Sequence, residues 1–148
     1  MKIYFRYALL SLFGIVSQLQ PILAQDKLDS YPDSVIYFGH GGGFTGLVNT
    51  YALLQNGDLY KKKFFSDQEW EYISKTDSSE TRSIFANYSF LGIHTMQLSE
   101  PGNTYSFISM MHKNAEVKKL VWSRSVLPPG NLRSFYDQLM KLIHSNKN

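Results

Sequence analysis

The residues best placed to do chemistry lie in one stretch, Phe38-Gly39-His40-Gly41-Gly42-Gly43-Phe44-Thr45-Gly46. It holds five of the chain's ten glycines in nine residues, with one histidine among them. An imidazole there could act as a general base or a metal ligand. Backbone N–H groups bare of side chains could hold a phosphate or an oxyanion. Each of these uses makes its own demand on the flanking sequence. A phosphate loop gains from running into a helix N-terminus, but Gly43 runs into the strand-like Phe44-Thr45-Gly46-Leu47-Val48. The Gly-Lys-Ser/Thr ending and the G-x-G-x-x-G spacing are both missing, which argues against a nucleotide. A metal needs convergent ligands. His94, His112 and His144 are widely spaced, with no H-x-H or H-x-x-x-H pair. No metal and no cofactor is expected.

The remaining use of such a stretch is structural. Glycines permit positive φ and close approach of another chain. The stretch then reads as a bulge or wide turn between two extended segments, open to a ligand or partner at its bare main chain. The candidate contact residues are His40, Gly41, Gly42, Gly43, Phe44 and Thr45.

Other candidates are weaker. There is no G-x-S-x-G elbow and no S-x-x-K. Glu69 and Glu71 share a face if their stretch is extended, a pattern that also describes a wet strand face. Lys61-Lys62-Lys63 is either an anion-binding patch or an edge strand kept from pairing by lysine, and the second reading is preferred. Trp122-Ser123-Arg124 could form a small aromatic-cationic site, against the simpler reading of a core tryptophan at a strand end.

The elements that position these residues follow from periodicity. Ser34–Phe38 is a short strand of β-branched and aromatic residues. From Phe44 to Leu54 the chain is extended, with Leu47, Asn49, Tyr51 and Leu53 on one face and Val48, Thr50, Ala52 and Leu54 on the other. Gln55-Asn56-Gly57-Asp58 predicts a type I′ turn into Leu59–Phe65. Trp70–Ser74 is a further strand or a helical turn. Ile84, Phe85, Tyr88 and Leu91 mark a helix over about 79–90, capped by Ser78 or Ser79 and stopped at Gly92. Ser99–Asn103 is a turn. Thr104–His112 alternates, and Lys113–Glu116 turns it into Val117–Trp122 as a second hairpin. After Pro128-Pro129-Gly130, Asn131 caps a helix over about 132–144 with the apolar stripe Leu132, Phe135, Tyr136, Leu139, Leu142 and Ile143. This order predicts an α+β fold: an antiparallel sheet of about five or six strands built from hairpins, with both helices on one face.

The totals bound the setting. Of the 148 residues, the first 24 read as a cleaved signal peptide. Lys2 and Arg6 open it, Ala8–Val16 is its apolar middle, and Pro21-Ile22-Leu23-Ala24 ends it. The apolar run is about half the roughly 20 residues that a spanning helix needs, so no stable membrane anchor is expected after cleavage. Residues 25–33 read as a flexible lead-in, and 34–148 as a single globular domain. Removing Lys2 and Arg6 leaves 13 basic residues against 12 acidic, too little imbalance for a nucleic-acid footprint. With no cysteine, stability in an oxidising compartment rests on packing. The 10 Tyr, 10 Phe and 2 Trp suit a well-filled sheet face.

Gly41-Gly42-Gly43-Phe44-Thr45-Gly46, followed by Tyr51-Ala52-Leu53 and Asn56-Gly57-Asp58-Leu59-Tyr60, resembles small exported bacterial proteins with a Gly-Gly-Gly-Phe-Thr-Gly segment before a strand-turn-strand. Pro101-Gly102-Asn103-Thr104-Tyr105 and the Trp122 strand are similar too. The resemblance implies one intact domain and carries over no catalytic residue. The expected function is a non-enzymatic binding module of the cell envelope, periplasmic or secreted, meeting an envelope protein or small ligand at the glycine stretch. The alternative is a small envelope hydrolase with His40 as general base and loop N–H groups as the oxyanion hole.

Overall fold

The computed structural model describes Leu28, residues 30–62 and residues 69–145. The export segment, the start of the lead-in and Lys63-Phe64-Phe65 lie outside the described residues.

Among the described residues the fold is α+β, with a seven-stranded sheet and two α-helices. The strands are β1 (Ser34–Gly42), β2 (Val48–Leu54), β3 (Asp58–Lys62), β4 (Trp70–Lys75), β5 (Ser99–Glu100), β6 (Thr104–His112) and β7 (Ala115–Ser123). The helices are α1 (Ser78–Phe90) and α2 (Gly130–Ser145), with a 3₁₀ turn at Ile93–Thr95. The order across the sheet is β4-β3-β2-β1-β6-β7-β5. Every pairing is antiparallel except β5 with β7.

The sheet therefore has more strands than the expected five or six and is mixed, not purely antiparallel. The addition is β5, in the stretch that reads as a turn. Two residues are too few to show an alternation. They join the sheet because β7 offers a free edge, which Leu98 begins to fill by accepting from the Val121 N–H at 2.9 Å.

β1 is the central strand. It does not end at Phe38 but runs through Gly42, paired to β2 as far as Gly41↔Val48 and to β6 as far as Gly42↔Thr104. Glycine has little preference for strands. Here two flanking ladders hold it extended.

The turns also differ from expectation. At 55–57 only Gly57 has positive φ, 93°, and its N–H donates to Leu54 O at 2.9 Å. This is a three-residue loop closed by a left-handed glycine, not a type I′ turn. Asn56 instead spends its side chain on Asp58, accepting from its N–H and donating to its carboxylate, both at 3.0 Å. The turn with two positive-φ residues is Lys113 (49°) and Asn114 (62°), between β6 and β7. β3 is likewise no edge. Lys61 is in register with Tyr51 on one side and Glu71 on the other, so lysine there does not guard a bare strand.

α1 is capped by Asp77, not by a serine: its Oδ1 accepts from the N–H groups of Ser79 (2.8 Å) and Glu80 (3.3 Å). Gly92, at φ 72°, follows its end as expected. α2 starts at Gly130, and Asn131 donates to Leu91 O at 2.7 Å, tying the start of α2 to the end of α1.

Alternation decides what each face does. Ile36 and Phe38 of β1, Tyr51 and Leu53 of β2, Ile108 of β6 and Leu120 of β7 share one core with Ile84 and Tyr88 of α1 and Phe135 and Leu139 of α2. The outer face carries a smaller cluster of Leu28, Val35, Ala52, Leu54, Tyr60 and Trp70, with Tyr31 packed against it. The Tyr31 hydroxyl accepts from the Asn56 N–H at 2.9 Å. Among the described residues, no helix is long and apolar enough to cross a membrane.

Candidate functional site

The glycine stretch is the far half of β1 and the turn that joins it to β2. Gly41 and Gly42 belong to the strand, and Gly43-Phe44-Thr45-Gly46 forms the turn. Gly46 N–H donates to Gly43 O at 3.1 Å, with Gly46 at φ 63°. Gly42 N–H donates to Leu47 O at 3.1 Å, and Gly43 N–H reaches sideways to Asn103 O at 2.7 Å. The tip is thus anchored both to its own hairpin and to the chain entering β6. Phe44 stands on it with 107 % relative exposure, and Thr45 beside it is exposed.

The glycines answer to their neighbours. Gly39 and Gly41 face outward, in register with Phe107 and Tyr105 of β6. A Cβ on Gly41 would meet Val48 Cγ2 at 2.9 Å and the Tyr105 hydroxyl at 3.1 Å. At Gly42 the φ is 92°, and a Cβ would fall on the Asn103 carbonyl oxygen. Bare main chain is needed so that aromatic rings and a crossing backbone can come close. The alternation of Thr104–His112 already sets Tyr105 and Phe107 on one face. Only the register shows that the glycines lie beside them.

His40 is not a loop residue. It lies in β1 on the helix side with Ile36 and Phe38, between Asn49 of β2 and Ser106 of β6. Burial, and after it the charge of Arg124, lowers its pKa below the ordinary 6.5. The imidazole therefore favours its neutral form. Near it, Tyr136 of α2 donates its hydroxyl to Gly39 O at 3.0 Å and sets its ring edge-on to Trp122, centroids 5.1 Å apart. Burial pushes the Tyr136 phenol up, with Ser106 and Arg124 opposing. Trp122 is a buried core residue, and Arg124, exposed two residues on, still reaches His40 and Tyr136 by its charge. Tyr136 reads from its spacing as one more stripe residue. Its second role depends on where α2 crosses the sheet.

Among the described residues, no hydrogen-bonded catalytic set gathers around His40. Among the described residues, no hydrogen bond joins its ring to a carboxylate, hydroxyl or second histidine. His112 shares a hydrogen bond with Ser34 Oγ at 3.1 Å, and His94 lies 6.4 Å from the Tyr88 ring. No group of three potential metal ligands occurs among the described residues. The N–H groups of Gly42, Gly43 and Gly46 already have carbonyl partners.

No protein-family model and no curated protein matches this chain.

Proposed function

We propose that the chain is an exported, non-enzymatic binding module of the cell envelope, and that the β1–β2 hairpin is its contact element. The observation that carries this reading is Phe44: a large apolar side chain, fully exposed, on a turn tied down by the Gly43–Asn103 hydrogen bond. Exposed aromatics on rigid supports are the side chains that anchor interfaces. Three adjacent glycines would ordinarily make a floppy tip and a costly one to order on binding. Here hydrogen bonds on two sides meet that ordering cost in the free protein. His40–Thr45 then divide their work. Gly41, Gly42 and Gly43 shape and hold the hairpin, Phe44 and Thr45 are its contact, and His40 belongs to the layer beneath.

The hydrolase alternative is weakened by two features. Three hairpin N–H groups, those of Gly42, Gly43 and Gly46, are committed to carbonyls, and among the described residues no carboxylate, hydroxyl or second histidine is hydrogen-bonded to the His40 ring.

The test is site-specific photo-crosslinking in cells, with benzoylphenylalanine at position 44 and, as control, at exposed Lys141 on α2. A discrete adduct from position 44 and none from 141 is the expected result. Equal yields from both, or none from 44, would sink the reading. So would an envelope hydrolase activity abolished by His40→Ala in a protein that remains folded.

A further inference from the structure

Among the described residues, the outer face of the sheet is covered at one end by Leu28 and Tyr31 and opens at the other as a hollow. Val48, Pro101, Tyr105, Phe107, Lys119 and Val121 line this hollow of about 320 Å³. Its floor is set by register: Phe107 lies between Gly39 of β1 and Val121 of β7. Gly41, bare of a side chain, lets Val48 Cγ2 and the Tyr105 hydroxyl close in to 2.9 and 3.1 Å of where a Cβ would stand, so both border the hollow from that side. β5 ends at Glu100, and Pro101 forms the far wall.

Two polar groups border this apolar floor. Lys119 has no ion pair or hydrogen bond among the described residues, and neither has the Tyr105 hydroxyl. Glu116, a carboxylate on the same strand as Lys119, accepts from Ser109 Oγ at 3.0 Å. The hollow thus offers an aromatic and aliphatic surface, one uncommitted cation and one phenol. Its size falls at the lower end of small-ligand sites, roughly 300–1,000 Å³. A phosphate or dianion would call for more donors, and a purely apolar ligand would make no use of the ammonium.

We propose that this hollow binds a small amphipathic monocarboxylate, its aromatic or short aliphatic body over Phe107 and Val121 and its carboxylate at Lys119 Nζ. The site goes beyond the hairpin reading and stands whatever Phe44 meets.

The experiment is a ¹H–¹⁵N NMR titration of the protein with 3-phenylpropionate and, separately, with its uncharged amide. The expected result is saturable shifts centred on Gly41, Val48, Phe107, Lys119 and Val121. The acid should bind about two- to fivefold tighter than the amide, the range of one exposed ion pair. Lys119→Met keeps the apolar stem and should erase that preference while the amide binds as before. Phe44→Ala should leave both affinities unchanged, which separates this site from the hairpin contact. No saturable shift to about 10 mM would overturn the proposal, as would a preference for the acid that survives Lys119→Met. Shifts at the same residues that follow protein concentration without ligand would assign the hollow to a second copy of the chain and overturn it equally.

Discussion

The two faces of β1 are built by opposite rules. On the helix side, Ile36 and Phe38 are fully buried against α1, α2 and the neighbouring strands, so stability comes from large side chains meeting large side chains. On the outer side at the hairpin end, Gly39 and Gly41 present no side chain at all, and Phe107 and Tyr105 reach over them from β6. One strand thus carries a packed core on one face and a ring-covered backbone on the other. The lesson is that the glycines are not a flexible insert. They are the shape complement of two aromatic side chains some 65 residues later in the chain.

The largest test of this contrast is a pair of ring deletions followed by urea unfolding. Phe38→Ala should cost about 3–5 kcal/mol, the usual range for an enclosed ring. Phe107→Ala should cost only about 1 kcal/mol, since its ring is half-buried. Equal losses would mean that the outer face is a core in its own right.

A second pair divides the glycines by cause. Gly39→Ala should destabilise by about 3 kcal/mol, because the new Cβ falls on the Asn49 carbonyl oxygen in the adjacent strand. Gly46→Ala meets nothing within 4 Å and carries only the strain of φ 63°, about 1 kcal/mol. If the two cost the same, steric closeness to β2 is not what demands glycine in β1.

The third test is smaller and concerns pH. The folded-state pKa of His40 lies below its ordinary 6.5, so between those two values the unfolded chain binds more protons and stability rises with pH. The contribution is fully present above about 6.5 and is lost as pH falls through the lowered folded value. Urea midpoints measured from pH 7.5 down to 5 should therefore fall more steeply for the natural protein than for His40→Gln. Parallel curves would show that burial beside Arg124 does not act on the imidazole.

The smallest effect is expected at Phe44. Replacing it with alanine should move stability by less than about 0.5 kcal/mol, as its side chain touches solvent. A larger loss would make Phe44 part of the fold and remove the ground for reading it as a contact.

How far the chain could be read varied with the range of the forces involved. The apolar stripe of α2, repeating at helical spacing, located that helix to within two residues at its start and one at its end. The alternation in β2 sorted Tyr51 and Leu53 from Ala52 and Leu54 correctly between the two clusters. The position of the turn at 55–57 was legible, but its type was not. Asn56 has a competing partner in Asp58, and that side-chain bond outweighs its tolerance for positive φ. At the candidate site, His40 and the glycines stood out at once. Tyr105, Phe107 and Tyr136 did not, and Arg124 stood out only beside Trp122 and not as a neighbour of His40, since each comes from an element far away in the chain.

The sequence by itself determined the α+β class, the positions of the two helices and which residues of β2 and of β6 share a face. These are local consequences of side-chain period, and they need no knowledge of neighbours. Only the tertiary structure decided that β1 is central, that β3 is interior, that β5 adds a parallel edge and that the glycines lie beneath aromatic rings. Those outcomes depend on which strands pair and in what register. That choice is settled by burying both helices on one face at once, and no single segment contains it.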